Sequence, residues 1–154
     1  MRRLILPALI ILALPMSTIT AQQSEAIMAW HRNSTVGIIY RVTGEYRPDV
    51  ASAIDEVTAK YPKMDRMKFI AMIYQESSFR NNLICNGDYG AGQVHLSFWR
   101  DKYQLDEQNI MDVRVNMHVA ASIWVNYAHE DYAAYNGTKK NLKLYNKKLK
   151  EVKG

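Results

Sequence analysis

The chain has 154 residues, a net charge of +5, 48% apolar residues and 23% charged ones. That length supports one domain with one core, and the composition excludes disorder as the overall state. A single cysteine, Cys85, excludes an internal disulfide, so packing alone must hold the fold.

Arg2 and Arg3 precede an apolar run from Leu4 to Met16, and the polar, small-residue segment Ser17-Thr18-Ile19-Thr20-Ala21 follows. A positive start, a short apolar stretch and a small residue before a cut form a signal-peptide pattern over residues 1–21. Ile19 is bulkier than the residue usual three positions before such a cut. The run falls short of the roughly 20 apolar residues of a membrane span, which leaves an uncleaved anchor as the alternative. Export to the periplasm or cell-wall space is the expectation, and it makes nicotinamide- or ATP-driven chemistry unexpected.

Residues 22–47 read as an N-terminal helical extension, with one helix and a turn near Gly44. The domain proper is expected over 48–154. Arg47-Pro48-Asp49 predicts a helix start, because proline fits the first turn and an acid favours the positive helix end. Pro62 ends that helix after about Tyr61. Asp65 is a candidate cap for the next helix, from Arg66 to about Ser77. Met67, Phe69, Ile70, Ala71, Met72, Ile73 and Tyr74 leave it almost no polar face, so it should be buried. The asparagines and glycines between Asn81 and Gly92 mark loop and turn, with a small hairpin over about 88–95. Ser97 is expected to cap a short helix through Tyr103. A longer helix runs from about Asp112 to His129, with Val115, Val119, Ala120, Ile123, Trp124 and Tyr127 at helical spacing. Two helical pieces separated at Gly137 finish the chain. No repeat and no sustained strand alternation is visible, so the fold class is mainly α.

Charge concentrates at the end. Residues 138–154 hold seven lysines against one acid, Glu151. Such a helix is either a solvated face or a surface for a polyanion, such as an anionic wall polymer or membrane. Nucleic acid has no support beyond these lysines, and export argues against it.

Glu76 is the candidate catalytic residue. It ends the most apolar helix, and positions 69, 72 and 73 on its side of the wheel are apolar. Burial and the negative helix end both raise a carboxyl pKa, giving a proton donor suited to a glycosidic oxygen. Ser77 and Ser78 can orient a carboxylate or a sugar. Gly90 and Gly92 allow close backbone approach, and Gln93 offers a donor and an acceptor to hydroxyl and acetamido groups. Tyr135 and Asn136, beside Gly137, can line a polar cleft. His31, His95, His118 and His129 lack metal-ligand spacing, no serine-nucleophile elbow is present, and Cys85 has no catalytic flanks. No metal and no cofactor is expected.

Three blocks in this order resemble the soluble lytic transglycosylase family, whose catalytic domain has the goose-type lysozyme fold. Glu76-Ser77-Ser78-Phe79 matches its E-S-x-F block. Gly90-Ala91-Gly92-Gln93-Val94 stands where the family reads G-L-M-Q-I, and Ala134-Tyr135-Asn136-Gly137 stands for A-Y-N-x-G. Asn116 lies in a helix like the one that follows the family's D-P-x-x-N. The resemblance covers about residues 48–152. It implies a lysozyme-like helical domain acting on peptidoglycan glycan strands between N-acetylmuramic acid and N-acetylglucosamine. Glu76 would protonate the leaving oxygen, then act as base while the muramoyl 6-hydroxyl attacks, giving a 1,6-anhydro product. Ser77, Gln93, Tyr135 and Asn136 would line the cleft. Departures are Ala91-Gly92 for the bulkier Leu-Met, Ala120 for a frequent glycine, and Gly137 directly after Asn136. Two alternatives accompany this reading. A hydrolase on the same fold would use a second carboxylate to activate water, for which Asp88 is the candidate, its structural role being an Asx turn. A non-catalytic wall-binding accessory of a secretion or phage-entry apparatus would use the cleft and the basic tail for contact alone.

Overall fold

The computed structural model describes residues 21–154, and the expected signal peptide falls outside them except for Ala21. Within that span the protein is mainly α. The helices are α1 (Ala21–Asn33), α2 (Thr35–Thr43), α3 (Pro48–Lys60), α4 (Arg66–Ser77), α5 (Leu96–Tyr103), α6 (Val113–Asn126), α7 (Tyr132–Asn136) and α8 (Leu142–Lys153). A small antiparallel sheet, β1 (Ile84–Cys85), β2 (Asp88–Tyr89) and β3 (Val94–His95), lies between α4 and α5. No helix among the described residues is long and apolar enough to cross a membrane.

Local chemistry accounts for most boundaries. Pro48 opens α3, Asp65 accepts the Met67 and Lys68 amides at the start of α4, and Asp112 does the same for α6. α4 is the buried helix its composition predicts, with Phe69 through Tyr74 all inside the core. It packs along α8, whose Tyr145 and Val152 face inward while most of its lysines face out. Lys148 is the exception, its ammonium lying 3.3 Å from the centroid of the Tyr74 ring.

Three expectations are corrected. Residues 22–46 form two helices, because Ser34 adopts an extended backbone and its hydroxyl caps the Gly37 amide at 3.1 Å. The second is no peripheral extension. Ile38 and Ile39 are fully buried in the main core, Arg41 Nη2 donates to the Val152 carbonyl, and the Tyr74 hydroxyl donates to the Val42 carbonyl. Ser97 caps nothing and lies inside α5, whose start falls two residues earlier than expected, with His95 at the cap position making no side-chain capping bond.

Candidate active site

Two successive residues with positive φ, Ser78 (54°) and Phe79 (62°), end α4. Neither is a glycine, so this stop is strained. Burial of Phe79, stacked on Tyr74 at 5.4 Å, holds it. The chain therefore turns sharply just after Glu76 and leaves that carboxylate at the mouth of a cleft of about 410 Å³.

Glu76 is half-buried. Burial pushes its carboxyl above the usual range, hydrogen bonding from Tyr132 and Asn136 pulls the other way, and the Asp88 charge adds to the rise. Asn136 Nδ2 donates to Glu76 Oε1 at 3.3 Å. Asp131 positions this amide by capping α7 on the Ala133 amide at 2.7 Å.

The glycine turn opposite is fixed from three helices. From α4, the Ser77 hydroxyl donates to the Ala91 carbonyl at 2.7 Å. From α6, the fully buried Asn116 accepts from the Gly92 amide at 2.8 Å and donates to the Tyr89 and Ile110 carbonyls at 2.8 and 3.1 Å. From α7, the Tyr135 hydroxyl donates to the Gly92 carbonyl at 2.7 Å. Burial, with Glu76 and Asp88 nearby, holds the Tyr135 phenol well above its ordinary pKa, so it remains a donor. Gln93 lines the cleft, yet its amide nitrogen is spent on the Gly90 and Leu83 carbonyls at 2.8 and 3.2 Å.

Of the residues expected in the site, Glu76, Asp88, Gln93, Tyr135 and Asn136 share this one cleft. Ser77 does not: it is 2% exposed and acts beneath the turn. Ser78 does not either. It faces a separate depression with Glu45, Arg80 and Lys148, because its left-handed conformation swings it to the far side of α4. Asp88 makes no Asx turn among the described residues; its Oδ1 pairs with His95 Nδ1 at 2.8 Å across the β2–β3 register.

Several contributors escaped the sequence reading. Tyr132, almost fully buried, supports Glu76 from behind. The Asp131 cap could have signalled it, since a helix starting there carries Tyr132 and Asn136 within about one turn of each other. His95, Phe98, Trp99 and Tyr127 build one wall of the cleft from β3, α5 and the end of α6. Trp99 and Tyr127 meet edge to face at 4.9 Å, and Phe98 is 77% exposed. Flat aromatic faces beside carboxylates and amides suit a polar ligand with apolar ring faces, such as a sugar chain. No group of three His, Cys, Asp or Glu side chains gathers as a metal site among the described residues. Comparison with protein-family models, curated proteins and solved structures yields no match.

Proposed function

We propose that this protein is a lysozyme-like lytic transglycosylase that cleaves the β-1,4 bond between N-acetylmuramic acid and N-acetylglucosamine in peptidoglycan. The observation that carries the reading is the half-buried Glu76, its carboxyl pKa raised, in one cleft with Gln93 at the end of the glycine turn and the Tyr135–Asn136 pair. A carboxyl kept protonated toward neutral pH can give its proton to the glycosidic oxygen as the bond to the anomeric carbon breaks. The muramoyl 6-hydroxyl then closes on that carbon, losing its proton to a base in the cleft. No water is added, and the product is a 1,6-anhydro sugar. Glu76, once ionised, is one candidate for that base.

Hydrolysis is the second reading, favoured by one observation. Asp88 shares the cleft and raises the Glu76 pKa through its charge, so two carboxyl groups face the same space. Digestion of purified sacculi followed by mass spectrometry of the released muropeptides decides between them. The anhydro product is one water lighter than the hydrolytic one. Glu76→Gln should lower either activity by about two to four orders of magnitude. A fully active Glu76→Gln protein would reject Glu76 as the acid, and absence of cleavage by the unaltered protein would favour a wall-binding accessory.

An enzyme of this kind works outside the cytoplasm, in keeping with the N-terminal pattern of residues 1–21. The outward lysines of α8 suit contact with an anionic wall or membrane surface, or with a secretion or phage partner.

A further inference from the structure

His95 is held on three sides. Its Nδ1 pairs with Asp88 Oδ1 at 2.8 Å, and its ring lies against Phe98 at 4.3 Å between centroids. Gly87 supplies the third side: a Cβ built there would stand 2.9 Å from His95 Cε1, so the ring rests where only a glycine leaves room. An imidazole with Nδ1–H donated to a carboxylate carries its lone pair on Nε2. No protein group among the described residues bonds that nitrogen, and the ring lines the cleft that contains Glu76. The other titratable groups facing this space are Glu76 from α4, Asp88 from β2, Tyr127 from the end of α6 and Tyr135 from α7. None of these lining groups is a cation.

We propose that His95, oriented by Asp88, accepts the proton of the hydroxyl that attacks the anomeric carbon, while Glu76 donates to the leaving oxygen. This rests on the glycosidic reading above and assigns its base. The balance is closed. The bond from the anomeric carbon to the leaving oxygen breaks, and that oxygen takes the Glu76 proton. The attacking oxygen bonds to the carbon and gives its proton to His95 Nε2. The imidazolium then returns a proton to the Glu76 carboxylate through solvent in the cleft. Asp88 is thereby a positioning residue: it selects the tautomer and stabilises the imidazolium, and does not itself meet the nucleophile.

The test uses soluble peptidoglycan strands with the full chain, its His95→Gln, Asp88→Asn and Glu76→Gln variants, and product mass as a second readout. His95→Gln should lower kcat by about two to four orders of magnitude with KM little changed. Nitrogen NMR of histidine-labelled protein, assigned by the loss of one signal in His95→Gln, should find neutral His95 protonated on Nδ1. Asp88→Asn should weaken that preference. Unaltered kcat in His95→Gln, or a neutral Nε2–H tautomer in the unaltered protein, overturns the assignment while leaving the glycosidic reading intact. Should His95→Gln fail to fold, single replacements of His31, His118 and His129 leave the remaining signal assigned to His95, and the tautomer measurement still decides. Undiminished activity in Glu76→Gln, or no cleavage by the unaltered protein, overturns the reading and the assignment together. The product mass identifies the attacking hydroxyl as sugar O6 or water.

Discussion

Gly92 in the hairpin turn and Ala120 in α6 share one space: a Cβ built on Gly92 would stand 2.6 Å from the Ala120 methyl. The turn therefore packs against α6 so closely that Ala120 leaves no room for a side chain at position 92. Gly92→Ala should destabilise the protein by about 1–3 kcal/mol through overpacking, and adding Ala120→Gly should recover most of the loss. Denaturant unfolding of the two single variants and the double variant measures this coupling, and additive losses would contradict the shared space.

Glu76→Gln should stabilise the fold, with a pH dependence of known sign. Glu76 has its folded pKa raised, mainly by burial. Below the unfolded value of about 4.3, both states hold the proton and the variant gains nothing. As pH climbs from there through the folded pKa, the unfolded chain ionises first and the native protein loses stability that the glutamine variant keeps. Thermal melts at pH 4 and pH 7 should diverge, with the variant melting higher at pH 7.

Asn136→Ala should move the alkaline limb of kcat/KM upward. The Asn136 amide donates to the Glu76 carboxylate and so favours its charged form. Without it the acid keeps its proton to higher pH. A pH–rate series reads the direction; an alkaline limb moved downward would contradict this geometry.

Asn116→Ala should cost about 1–3 kcal/mol for each buried backbone group it leaves unpaired, and Gly92 N–H, Tyr89 C=O and Ile110 C=O all depend on it. Hydrogen exchange should accelerate at the Gly92 amide. Activity should fall more than the lost stability accounts for, because the turn that faces Glu76 is released.

Replacing Lys140, Lys143, Lys147 and Lys150 by glutamine should weaken binding to sacculi and flatten its salt dependence while the fold persists, since these side chains are exposed on α8 and the turn before it. Co-sedimentation at low and high salt checks it.

The parts legible in the sequence are those set by neighbours in the chain. Pro48, Asp65, Asp112 and Gly137 mark boundaries by local chemistry, and the apolar run of α4 declares its burial. Glu76, Tyr135 and Asn136 were visible through their motif blocks. Ser77 and Ser78 were misread because the turn after them depends on Phe79 finding a place in the core, which no local pattern encodes. The break at Ser34 was hidden because the residues on both sides are compatible with helix, and only the cap decides. The Asp88–His95 pair is a cross-strand contact fixed by register. The aromatic wall joins α5 to the end of α6, segments more than 20 residues apart in sequence.

The stacking of Tyr145 on Tyr132, 4.6 Å apart and within 2° of parallel, ties the last helix to the residue supporting Glu76. The lysine-rich end of the molecule is thus no detachable handle. A partner that grips or pries at α8 would pull on the ring behind the acid, and shortening the chain before Leu142 would silence the cleft without touching any group that lines it.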